Sequence, residues 1–116
     1  MDQEKIKTLK ADTGRELHET IDQLIAAHGE IAVVRTAMGV AIFRKPRRME
    51  YKRHLSMLFN EKQRADAVEA LARDCVVHPE KTTFAEWLES KPGIPIVCSD
   101  ALTKLAGGAK DEDEGK

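Results

Sequence analysis

Cysteine is scarce in this chain. Cys75 and Cys98 are the two in 116 residues, too few for the disulfide scaffolds of small secreted domains, so a reducing cytoplasm is the expected setting. Long apolar runs are missing as well. None exceeds four residues, against the roughly 20 that a bilayer-spanning helix needs. The opening "MDQEKIKTLKADTG" lacks the apolar core of a signal peptide. These absences exclude a disulfide-rich module and argue against a membrane span, and they lead to the expectation of a soluble cytoplasmic protein.

Catalytic patterns are equally sparse. The carboxylates Glu61, Asp66, Glu69, Glu86 and Glu89 fall at helix-surface positions, and no acidic pair stands inside an apolar stretch where burial would raise a pKa for acid–base work. Gly107-Gly108 has neither a preceding strand nor a following Lys-Ser/Thr, as a phosphate loop requires. Cys75 and His78 have C-x-x-H spacing with Cys98 further on, but a structural zinc site wants four ligands, usually as two close pairs. Cys75 continues the apolar face set by Val68 and Leu71, so a buried core thiol is expected. The histidines His18, His28, His54 and His78 are scattered over helical phases and read as surface or helix-end residues. No catalytic, cofactor or metal residue is assigned, and a non-enzymatic protein is expected.

Hydrophobic residues make up 41% and charged residues 34% of the chain, more charge than an average globular protein but not the composition of a disordered one. The length suits one small domain. A flexible leader or loosely held helix over 1–12, a globular α+β domain over 13–106 and a flexible acidic tail over 107–116 are expected. Thr13 with Glu16 three residues on fits a capping box, and Leu17, Ile21, Leu24 and Ile25 form one helical face that Gly29 would end. Ile31–Thr36 and Val40–Arg44 are β-branched runs parted by a turn containing Gly39, the signature of a hairpin. Pro46 ends the second strand. The hairpin's open edge is an expected docking surface. Helices follow over about 47–60 (Tyr51, Leu55 and Leu58 inward), 62–77 (Ala65, Val68, Leu71, Ala72, Cys75), from Thr82 or Thr83 to before Pro92 (Phe84, Trp87, Leu88), and 96–105 (Val97, Ala101, Leu102, Leu105). The expected fold class is α+β and mostly helical: an N-terminal helix, one hairpin, then three or four helices.

Charge is distributed unevenly. Within "FRKPRRMEYKR", residues 43–53, six of eleven residues are Lys or Arg and only Glu50 opposes them, in a chain of net charge −1. Phase places Phe43 and Tyr51 inward, whereas Arg44, Lys45, Arg47, Arg48, Lys52 and Arg53 become the candidate partner-binding residues. Lys and Arg can neutralise phosphates and aromatic rings can stack on bases. Tyr51 shares a face with Leu55, however, so an acidic protein surface ranks above nucleic acid. A solvated helix face with no direct role competes on equal terms.

The order of elements carries a resemblance. A hairpin ending in "VAIFRKP", then "RRMEYKRHLSML", "AVEALARDCVVHP", "KPGIP" and "ALTKLAGG", resembles the small tail assembly chaperones of tailed bacteriophages and of prophage-derived tails. It spans roughly residues 40–108 through degenerate patterns rather than a diagnostic motif. The resemblance implies a non-enzymatic role in tail morphogenesis within the host bacterial cytoplasm, binding the tape measure protein, tail tube subunits or both. From the residues themselves no cofactor and no membrane partner are expected, and self-association is left open. The alternatives are a small DNA-associated regulator using residues 44–53, or a structural head or tail component.

Overall fold

Two β-branched runs joined by a tight turn form the centre of the molecule. In the computed structural model, which describes residues 1–11 and 13–107, strand β1 (Ile31–Thr36) pairs antiparallel with β2 (Gly39–Arg44), in register from Ile31 opposite Arg44 to Thr36 opposite Gly39. The Thr36 hydroxyl fixes the two-residue connection by donating to the Gly39 carbonyl at 2.7 Å and accepting the Met38 N–H at 3.2 Å. Gly39 has φ of 140°, a conformation that side chains other than glycine's rarely adopt. A Cβ there would also lie 3.1 Å from the Trp87 ring.

A third strand corrects the expected architecture. The helix expected over 62–77 stops at Cys75, and β3 (Val76–His78) pairs antiparallel with β2, giving the sheet order β1-β2-β3. The cause is local. Val76 and Val77 are stiff, β-branched residues that suit a strand, and His78 precedes a proline, which disfavours the helical region. Of the hairpin's two outer edges, that of β2 is therefore covered by β3, and β1 remains an edge of the sheet.

Strand alternation then divides the sheet into two faces. Ala41, Phe43 and Val76 join a large core with Leu71, Ala72 and Cys75 of α4 (Arg64–Cys75), Phe84 and Leu88 of α5 (Lys81–Ser90), and Ile94, Cys98 and Leu102 of α6 (Ile94–Leu105). Phe43 and Phe84 meet edge to face, with ring centroids 5.8 Å apart. On the opposite face Ile31 and Ile42 meet, among the described residues, one other enclosed side chain, Ile21 of α2 (His18–His28), with Leu9, Leu24 and Ile25 packed partly over them. Leu9 belongs to α1 (Gln3–Ala11), which buries no residue completely. So 1–12, expected as a flexible leader or loosely held helix, is helical over most of its length. Lys10 ties it to α2 through a 2.7 Å ion pair with Asp22 and a 2.8 Å hydrogen bond between its carbonyl and His18 Nε2.

Several helix details differ from expectation. Thr13 caps nothing: its hydroxyl donates back to the Lys10 carbonyl, and a 3₁₀ turn over Arg15–Leu17 leads into α2. Helix α3 (Arg48–Leu58) presents His54 inward and leaves Leu55 38% exposed. Its inner face runs through Tyr51, His54 and Leu58, because the His54 ring finds a partner in the Ala67 carbonyl of α4, 3.2 Å from Nδ1. A buried imidazole needs such a partner, and here it has one. Helix α6 starts at Ile94 rather than Ile96, with Pro95 in its first turn, where proline's fixed φ and missing N–H cost nothing. Its buried stripe is Ile94, Cys98 and Leu102, and Val97 faces outward at 56% exposure. Of the acidic tail expected over 107–116, only Gly107 lies within the described residues. No helix among those residues is long and apolar enough to cross a membrane.

A candidate protein-interaction surface on α3

Phe43 completes β2 inside the large core, and the chain then turns through Pro46, itself buried, into α3. This short connection brings the basic stretch to one corner of the fold. Its single carboxylate organises that corner. Arg44 makes two parallel hydrogen bonds to Glu50, Nη1 to Oε1 and Nη2 to Oε2, each 2.8 Å. Nη2 also donates to the Asp74 carbonyl at 2.9 Å, and Glu50 Oε1 accepts the Arg47 backbone N–H at 2.8 Å. The end of β2, the first turn of α3 and the end of α4 are thus fastened together by one ion pair. Lys81 adds to this corner, donating through Nζ to the carbonyls of Arg73 at 2.7 Å and Asp74 at 3.0 Å. The last carbonyls of a helix have no partner within it, and Lys81, with Arg44 at Asp74, supplies donors to these two from outside.

The electrostatics follow from this geometry. The side chains of Arg44 and Glu50 are 13% and 17% exposed. The Arg44 hydrogen bonds outweigh burial and hold the Glu50 carboxyl at about 2, well below its usual 4.5, with help from the Arg47 N–H. The same contact raises Arg44. Both groups stay ionised at neutral pH, and their charges are spent on each other.

The six candidate partner-binding residues therefore separate. Arg44 faces inward and is committed to Glu50. Arg53 is exposed but pairs with the Asp74 carboxylate. Lys45, Arg47, Arg48 and Lys52 are exposed, and among the described residues none of the four pairs with a carboxylate. Phe43 is enclosed and Tyr51 half-buried against the large core, as phase required. The helix also exposes apolar side chains that the basic stretch alone did not flag: Met49, among the cations, is 76% exposed, and Phe59, at the far C-terminal end of α3, is 84% exposed. Met49, Glu50, Lys52 and Arg53 line an open depression. Helical spacing held the missing signal, because Arg48, Lys52, Leu55 and Phe59 recur at i, i+4, i+7 and i+11.

The thiols stand apart from this surface. Cys75 and Cys98 are completely enclosed, and burial pushes both up to about 11. No group of three His, Cys, Asp or Glu among the described residues is arranged to hold a metal ion.

Comparison with known proteins places the fold without assigning a role. The chain is similar to the solved structure of an uncharacterised protein, RBSTP2171, from Bacillus stearothermophilus, at 20% identity and a TM-score of 0.65. The match covers 78% of this chain and 94% of that one. No curated protein matches. Residues 35–114, from the end of β1 onward, match the family model described as a domain of unknown function, DUF6848, and the chain belongs to that family.

Proposed function

We propose that this protein is a non-enzymatic assembly chaperone of phage-type tails that binds tape measure or tail tube subunits during tail morphogenesis. The observation that carries the reading is the outer surface of α3. Four cations without a carboxylate partner among the described residues stand around exposed Met49 at the start of the helix, and exposed Phe59 stands at its end, in a chain whose net charge is −1. Charged rims around exposed apolar side chains suit a protein partner. The likeness in element order to small tail chaperones supplies the identity of that partner. A DNA-binding role would rest on the same residues, and two of its six cations, Arg44 and Arg53, are already neutralised within the fold.

The test is a pull-down of the full-length protein against tape measure and tail tube subunits encoded beside its gene, with mass spectrometry of finished particles in parallel. Capture of either subunit together with absence from the particle is the expected result. Stable presence in the particle would identify a structural component instead. Duplex DNA bound more tightly than either subunit near physiological salt would replace the chaperone reading with a regulator.

A further inference from the structure

The outer stripe of α3 has a direction. Arg48 and Lys52 occupy its first two turns, flanked by Lys45, Arg47 and Arg53, while Leu55 and Phe59 occupy its end. At 1.5 Å per residue, the stripe from Arg48 to Phe59 is about 16 Å long. Charge is concentrated at one end and apolar surface at the other.

We infer that this stripe is a polar-to-apolar docking track for an acidic protein segment that carries a large apolar anchor: carboxylates lie against Arg48 and Lys52, and the anchor lies against Leu55 and Phe59. The inference rests on the reading of α3 as a protein-binding surface and adds the chemistry and orientation of the partner. Phe59 is the decisive residue. At 84% exposure it contributes almost nothing to folding, yet it continues the phase of Arg48, Lys52 and Leu55. A segment bearing charge alone leaves Phe59 in water. That argues against the chain's own "KDEDEGK" as the natural occupant, since it has four carboxylates and no apolar residue. An anionic membrane fits less well too. A helix lying in a bilayer interface keeps one apolar face along its whole length, whereas here cations and apolar residues share a single line. Duplex DNA would engage the cationic end and leave Leu55 and Phe59 idle.

Fluorescence anisotropy on the full-length protein tests this with defined probes. One is a 16-residue helical peptide with Glu clustered at one end and Leu and Phe at the other. The second has the same composition with the two residue classes interleaved, and the third is a Glu/Gly peptide of equal charge. The tail peptide, phosphatidylglycerol vesicles and a 20-base-pair duplex complete the set. The segregated peptide should bind about tenfold more tightly than the interleaved or purely acidic ones, a difference of about 1.4 kcal/mol. Phe59→Ser and Lys52→Glu should each remove most of that preference, and added salt should weaken binding without abolishing it. Equal binding of all three acidic peptides would overturn the inference, as would tighter binding of vesicles or duplex that depends on the same two residues. The same variants in the tail-subunit pull-down separate this inference from the chaperone reading. Capture that survives both substitutions sinks the docking track and keeps the chaperone. Peptide preference without capture of any tail subunit keeps the track and sinks the chaperone.

Discussion

The two faces of the sheet are held in different ways. On one, three helices enclose Ala41, Phe43 and Val76 with eight further buried side chains, so that almost every contact is shared among several elements. On the other, Ile31 and Ile42 are sealed mainly by Ile21, and the helices that supply the cover leave Leu9, Leu24 and Ile25 only partly buried. β2 belongs to both, because alternate residues of one strand point to opposite sides. The family match begins at residue 35, so it takes in the large core and omits α1 and α2. The large core sets the fold and positions α3, whereas the small one closes the back of the sheet.

The largest expected effect sharpens this contrast. Phe84→Ala removes a completely enclosed ring that meets Phe43 edge to face and also packs against Trp87. A loss of about 3–5 kcal/mol is expected, as for other buried Phe truncations. Ile21→Ala should cost roughly 2 kcal/mol, the low end for a buried aliphatic, since its partly exposed neighbours can settle into the gap. Hydrogen exchange should distinguish the faces further, with Ile21→Ala speeding exchange mainly in α1 and α2 and Phe84→Ala speeding it throughout, β2 included. Equal losses spread over the same amides in both variants would show the two faces to be one cooperative unit.

Sequence patterns anticipated the elements whose signals are local. The hairpin could be read from its β-branched runs, and α5 from Phe84 and Leu88 with Pro92 beyond. Strand β3 could not, because three residues carry little periodicity and their pairing with β2 lies more than thirty positions away. The leucines of α3 suggested a face through Leu55. The helix instead turns His54 inward, since the Ala67 carbonyl that satisfies it exists only once α4 has docked. The candidate surface was visible as charge and invisible as geometry. Nothing local shows that Arg44 would bond the backbone of Asp74, thirty residues on, or that Phe59 would be left outside.

The next effect in size belongs to the corner between β2, α3 and α4. Glu50 sits at about 2 in the folded protein against 4.5 ordinarily. A depressed carboxylate contributes stability above its unfolded pKa and loses it as pH falls toward the folded value, so the loss should run from about pH 4.5 down to about pH 2. Allowing for the part of the pair that water reaches, the contribution at neutral pH is roughly 2 kcal/mol. Glu50→Gln should be less stable than the parent by about this amount at pH 7, and the gap should close as the pH is lowered. Paired urea titrations at pH 7 and pH 3 isolate this one group from the other carboxylates. A gap that is unchanged at pH 3 would mean that the Arg44–Glu50 contact acts through shape rather than charge.

The smallest expected effect is on the outer stripe of α3, which marks the limit of the contrast between the faces because neither core includes it. Lys52 and Phe59 are exposed, and among the described residues Phe59 is not packed against either core, so Lys52→Glu and Phe59→Ser should each change stability by less than about 0.5 kcal/mol, the ordinary range for surface substitutions. In a domain of this size that is a melting shift of no more than about 3 °C. Arg53→Glu should cost somewhat more, up to about 1 kcal/mol, because it discards the pairing with Asp74 and sets two carboxylates against each other. Thermal melts of the three variants measure this directly. A fall of several degrees in Phe59→Ser would make that ring part of the fold and remove it as an anchor for a partner. Melting temperatures that stay put would show that Phe59 has no folding role and leave it available as the proposed anchor.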